Sequence, residues 1–184
     1  MDTPREILNL DPGNARVRFS VRWFGVITVR GTFAAVRGTV AAPGHGSQPD
    51  VSVEVDSQSV KTGISLRDRH LRGMRFLDSE EFPVIRFESD HVSHHNGVWD
   101  VKGRLLLRGL ERNLSLSVLD ESSSATHHRL SAHFPVPRHP HSIGTARGIR
   151  RLNPLLWAIG REVNVQVELM VPATMLAPEH VPAR

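Results

Sequence analysis

Arg67, Asp68 and His70 stand within four positions of one another and offer an acid, a base and a cation. General acid–base chemistry would need a nucleophile or an electrophile beside them. The sequence supplies no recognisable one. It has no cysteine and no Gly-x-Ser-x-Gly element, and glycines such as Gly31, Gly63 and Gly103 occur singly, outside any phosphate-loop spacing. Asp68 is better read as structural, accepting hydrogen bonds from loop amides or pairing with Arg67 or Arg69. The eleven histidines invite a second chemistry, since three imidazoles can hold zinc or copper. Yet His94-His95 borders a turn, and neighbouring strand side chains point to opposite faces. His139 and His141 flank Pro140, and no His-Glu-x-x-His pattern exists. These histidines, with His127-His128 and His133, are read as exposed loop residues. His139 with His141 is the pair to examine, should His70 approach it. No metal and no cofactor is assigned, and no catalytic residue.

The elements that position these residues are strands. Val17, Phe19, Val21 and Trp23 alternate with Arg16, Arg18, Ser20 and Arg22. The same period-two pattern runs through Val51–Val55, Trp99–Leu107, Leu114–Val118 and Val163–Val171. Each predicts a strand with one apolar and one wet face, as in antiparallel sheets. Weaker strands are expected at Ile27–Val29 with Phe33, Gly38–Val40, Ile85–Phe87 and Leu130–Phe134. Asn96-Gly97 marks a tight hairpin, and Pro137 to Pro140 ends a strand. Two segments break the rhythm. Ser65 to Arg75 predicts a short helix, capped by Ser65, with Asp68 in its first turn and Leu66, His70 and Met74 on its inner face. Thr145 to Gly160 reads as a long loop with a helical turn around Leu155-Leu156-Trp157.

Composition narrows the class. The 184 residues fit one domain, 1–184, with a core at about 16–172 and ends expected to be flexible. The formal charge is +4, but no basic run exceeds Arg150-Arg151 and the arginines follow the polar strand phase. Solvated strand faces are therefore read in preference to a nucleic-acid surface. Met1 to Glu6 lacks the pattern of a signal peptide, and no apolar run approaches the roughly 20 residues a spanning helix needs. The expectation is a cytoplasmic protein without stable membrane insertion.

One stretch carries more than a generic β-protein requires. Thr62-Gly63 precedes Arg67-Asp68-x-x-Leu71, then Phe76, Phe82-Pro83, and a strand ending in Phe87-Glu88-Ser89. This order resembles the YceI-like family of lipocalin-like, polyisoprenoid-binding β-barrel proteins. Gly103-Arg104-Leu105 with Gly109, and Ile159-Gly160-Arg161-Glu162-Val163, add to the likeness, which extends from about Arg16 to Pro172. The chain departs from the family at Trp23, where the family has His. It departs again at Leu106 for Thr, and at Ser142-Ile143 for Asp-Phe. All three departures are placed at the barrel mouth and lining.

The resemblance implies an all-β, antiparallel lipocalin-like β-barrel of about eight strands, closed, with a helical plug near 65–75. The inward candidates for ligand binding are then Phe19, Val21, Trp23, Phe33, Phe87 and Trp99. Val101, Leu105, Leu107, Leu116, Val165 and Val167 complete the lining. Such a tunnel suits an isoprenoid, an isoprenoid quinone or another amphiphile, with Arg67 and His70 meeting the head group. If Trp23 points inward it shortens the tail that fits; otherwise it packs outside on Leu155 or Trp157. Two alternatives stay open: the same residues fill a dry core in a stress-response or protein-interaction module, or histidines handle metal or haem. A homodimer is a further expected partner.

Overall fold

The computed structural model describes residues 6–42, 48–121, 126–144 and 159–176. The alternating segments form β1 (Ile7–Leu10), β2 (Ala15–Trp23), β3 (Ile27–Phe33), β4 (Val36–Ala41), β5 (Asp50–Asp56) and β6 (Val60–Lys61). After the helix α1 (Ser65–Arg72) come β7 (Val84–His95), β8 (Val98–Leu107), β9 (Leu110–Asp120), β10 (His127–Pro137) and β11 (Glu162–Pro172). All strand pairings among the described residues are antiparallel, in the order β1-β4-β5-β7-β8-β9-β10-β11-β2-β3-β6.

That order corrects the expected strand number from about eight to eleven among the described residues. It also replaces the closed barrel with a sheet curled into a half-barrel, whose ends are β1 and β6. The reason lies at Thr62-Gly63. Gly63 takes φ +82 and turns the chain into α1, so β6 pairs with β3 only at Phe33↔Val60 and Thr32↔Lys61. The short β1 and β6 carry too few residues to show a period. The core is also longer than expected. Leu10 on β1 and Met175 beyond β11 are both buried, so it runs from β1 to residue 175.

Two devices let long strands wrap the interior. Asn96 and Gly97, at φ +52 and +79, close the β7–β8 hairpin with the positive angles such a turn requires. Between Ser89 and His91 the β7–β8 register slips by one residue, and Gly103 sits opposite Ser89. A Cβ on Gly103 would lie 2.1 Å from the Glu88 carbonyl oxygen and 2.8 Å from the Phe87 ring. Only glycine admits that approach, and the bulge bends the sheet there.

The helix is where expected, but its faces are not. Its N-cap is Ile64, with no side-chain cap bond, so Ser65 does not cap it. Leu66, His70 and Met74 are exposed. The buried helical residue is Asp68, 9% exposed. Its carboxylate accepts from the Thr62 amide at 2.8 Å and from the Thr62 hydroxyl. Arg67 completes the lock by donating to Thr62 Oγ1 at 2.7 Å and to the Thr62 carbonyl oxygen at 2.8 Å. A charged acceptor on a loop amide is worth more than a neutral one. Asp68→Ala leaves that amide and hydroxyl without their acceptor. It should lower stability by about 2 kcal/mol, read by urea denaturation; an unchanged midpoint would refute the lock.

Candidate functional site

The inner faces of the strands do not meet across the sheet. They enclose a cavity of about 460 Å³. Valine dominates its wall, supplied by alternate positions of β2, β5 and β11 among others, and a valine side chain is too short to reach the opposite strand. Aromatic rings fill part of the space. Phe19 packs over Gly31, where a Cβ would come within 2.4 Å of its ring, and lies 5.6 Å from Phe33 between ring centres. Phe87 and Trp99 line the wall from β7 and β8.

Every expected lining residue but one is part of this wall. Phe19, Val21, Trp23, Phe33, Arg67, Phe87, Trp99, Val101, Leu105, Leu107, Leu116, Val165 and Val167 all border the cavity. His70 does not; it is exposed on the outer side of α1, because Asp68 and Leu71 occupy the inner one. Trp23 borders the cavity and pairs through its backbone with Ile159. Leu155 and Trp157, its alternative partners, lie outside the described residues, as does the expected helical turn within 145–158. Of the family departures, Trp23 and Ile143 reach the wall, whereas Leu106 and Ser142 do not.

Arg67 and Arg138 are the charged residues in the wall among those described. Arg138, 3% exposed, was not singled out from sequence. Its guanidinium donates to the carbonyl oxygens of Gly160, Ile143 and Ile159, with no carboxylate partner among the described residues. It ties the end of β10 to the strand pair of β2 and β11. Burial pulls its pKa below the usual arginine value. The one signal in the sequence was an arginine between two prolines, and nothing local said that it turned inward.

The histidine readings divide. His139 is exposed as expected, while His141, in the connection after β10, is 2% exposed, which corrects its reading as an exposed residue. Its Nδ1 lies 3.4 Å from the Leu107 carbonyl oxygen. His70 and His139 are both exposed, and no three His, Asp or Glu side chains converge on a metal position among the described residues. His94 stacks on Trp99, ring centres 4.3 Å apart, and His128 meets Asp120 at 2.5 Å. Arg67, Asp68 and Thr62 bind one another, and Arg67 alone of them reaches the cavity.

The model of the YceI-like domain matches residues 8–171. The chain belongs to the YceI-like domain family. Protein YceI of Salmonella arizonae and that of Salmonella heidelberg are each 32% identical over 104 residues, 56% of this chain and 54% of theirs. The match thus spans about half the length of these curated relatives. Among solved structures, Burkholderia cenocepacia BcnA superimposes with a TM-score of 0.75 at 16% identity, covering 88% of this chain and 99% of that one. A polyisoprenoid binding domain from Saccharophagus degradans, described as implicated in plant cell wall breakdown, gives 0.67 at 18% identity, with 91% and 98% covered. These likenesses carry the YceI-like fold. No described helix is long and apolar enough to cross a membrane.

The burial of His141 should make the stability of this YceI-like domain depend on pH. Burial, aided by the nearby Arg112 cation, lowers its pKa from 6.5, against the opposing pull of the Leu107 and Leu110 carbonyls. The folded state then prefers the neutral ring, and the unfolded chain binds the proton first as pH falls below 6.5. Stability should therefore drop as pH falls from 6.5 toward the lowered folded pKa. Urea denaturation at successive pH values should show a smaller drop in His141→Gln than in the wild type; equal slopes would remove His141 as the cause.

Proposed function

We propose that the protein binds and carries an amphiphilic lipid of isoprenoid type, without catalysing a reaction on it. The carrying observation is the cavity itself: about 460 Å³ walled by apolar side chains and two arginines among the described residues. That volume lies within the range of small-molecule sites. A dry core would leave no such space between its facing side chains, and an apolar tail entering this one gains about 0.8 kcal/mol for each CH₂ buried.

The family and the polyisoprenoid binding neighbour support the same ligand class. The candidate tail contacts are Phe19, Val21, Trp23, Phe33, Phe87, Trp99 and the aliphatic residues of β8, β9 and β11. Arg67 and Arg138 are the groups able to meet a polar head. A binding role also fits the Thr62–Arg67–Asp68 contacts, which use those groups for local structure.

The test is organic extraction of the purified protein followed by mass spectrometry. A stoichiometric amphiphile supports the reading; a protein that neither carries nor takes up isoprenoid quinone or long-chain lipid overturns it. Trp23 sets the length. Because Trp23 borders the cavity but is only half-buried, Trp23→Ala should cost less than the roughly 3–5 kcal/mol of a fully buried Trp. It should also shift the extracted profile toward longer tails. Identical profiles in wild type and variant would remove Trp23 as a plug.

A further inference from the structure

The β2–β3 hairpin turns through residues that have no business in water. Phe24 is 56% exposed, Val26 83% and Ile27 50%. Phe24 takes φ +50 and Gly25 φ +70, and the Val26 amide donates to the Trp23 carbonyl oxygen at 3.3 Å. Asparagine or glycine is the ordinary occupant of such a position, and a bulky aromatic there is an outlier. The turn thus holds an aromatic ring outward where a polar residue would serve the backbone better. Its described ring neighbour is Trp23, 5.0 Å away between centres, and Trp23 borders the cavity. An apolar path therefore runs from the exposed tip into the interior.

The same end of the sheet gathers other exposed apolar groups. β11 starts beside the end of β10 and pairs Asn164 with Ser20, so the tip lies at the end where Arg138, Ile143 and Ile159 close the cavity. Met74, 74% exposed, sits on the loop after α1, whose next residue Arg75 accepts the Gly144 amide. Ile64 and Leu66 are likewise exposed.

Charge adds to the apolar character of this end. On the wall, Arg18 pairs with Glu168, Arg37 and Arg86 with Glu54, and Arg104 with Asp90. Arg22 and Arg30, exposed on the outer face of the hairpin, have no carboxylate partner among the described residues, and neither do Arg69 and Arg161. Glu162, beside Arg161, is an exposed carboxylate on that rim. Unpaired guanidiniums around an exposed apolar tip match one surface in chemistry: anionic headgroups over acyl chains.

We infer that the β2–β3 hairpin is a membrane-docking element, with Phe24, Val26 and Ile27 entering the headgroup layer of an anionic lipid surface and Arg22 and Arg30 contacting its phosphates. Docking would place the Trp23 end of the cavity against the bilayer. The inference adds a surface to the carrier reading and stands on different residues, because Phe24, Val26, Arg22 and Arg30 do not line the cavity.

Co-sedimentation with vesicles tests it, comparing phosphatidylcholine alone with phosphatidylcholine containing phosphatidylglycerol. The wild type should bind the anionic vesicles, and binding should weaken as salt screens the arginines. Phe24→Asn with Val26→Thr keeps a turn-compatible residue at the positive φ and should reduce binding about tenfold. Arg22→Gln with Arg30→Gln should reduce binding to anionic vesicles and abolish their advantage over neutral ones. Unchanged melting and unchanged lipid occupancy by native mass spectrometry show that each variant is folded with its cavity intact. Wild-type protein that ignores anionic vesicles, or a hairpin variant that binds as well as wild type, overturns the inference. So does a dimer in solution that the hairpin variant dissolves while vesicles stay unbound. An occupied cavity without vesicle binding defeats docking alone; vesicle binding by a chain that takes up no lipid defeats the carrier reading alone.

Discussion

The fold depends on a mismatch between the curvature of the sheet and the size of the side chains that line it. A sheet with one apolar face must bury that face, and this one does so by curling on itself. Its inner positions are filled chiefly by valine, which has the strand propensity to build long ladders but not the reach to fill the space they enclose. Where larger rings are used, glycine makes room for them: Gly31 beneath Phe19, and Gly103 beside Phe87 and the Glu88 carbonyl. The result is a wall packed like a core around a volume that is not packed.

That mismatch makes the ends decisive, because an open apolar interior must be closed without filling it. At one end the closure is polar and highly connected. Asp68 and Arg67 hold the Thr62 turn that sends the chain into α1, and Arg108 donates to the Met74 and Ser142 carbonyl oxygens. Arg138 gathers three carbonyl oxygens from two separate segments. A guanidinium suits this task because its five donors are fixed in a plane and no proton need be lost to bury it. The two wall arginines thus serve the architecture while bordering the cavity.

The arginines of the outer face differ in their partners. Those on the middle of the wall are neutralised by cross-strand carboxylates, such as Glu54 between Arg37 and Arg86. Burial alone would raise the Glu54 pKa, but the hydrogen bonds and charges of these two guanidiniums hold it low. Arg22 and Arg30, on the outer face of the β2–β3 hairpin, have no such partner among the described residues.

Much of this was legible in the residues. Strict alternation told which side of β2, β8, β9 and β11 faces inward, because a period of two leaves no freedom once one face is buried. Asn96-Gly97 announced its hairpin for the same local reason. The Thr62 to Ser89 stretch carries the resemblance to the family in its residues alone. The faces of α1 were not legible: eight residues make barely two turns, and what such a helix buries depends on the chain beneath it. So Leu66 and His70 went outward and Asp68 inward, held by Thr62, and the helix ended before Met74. The two-residue β6, the linear strand order, and the burial of Arg138 and His141 were equally beyond reach. Each is set by partners distant in sequence, such as Leu107 for His141 and Gly160 for Arg138. Periodicity reports a local preference of the backbone; the burial of a polar side chain is decided by whichever distant carbonyls arrive to satisfy it.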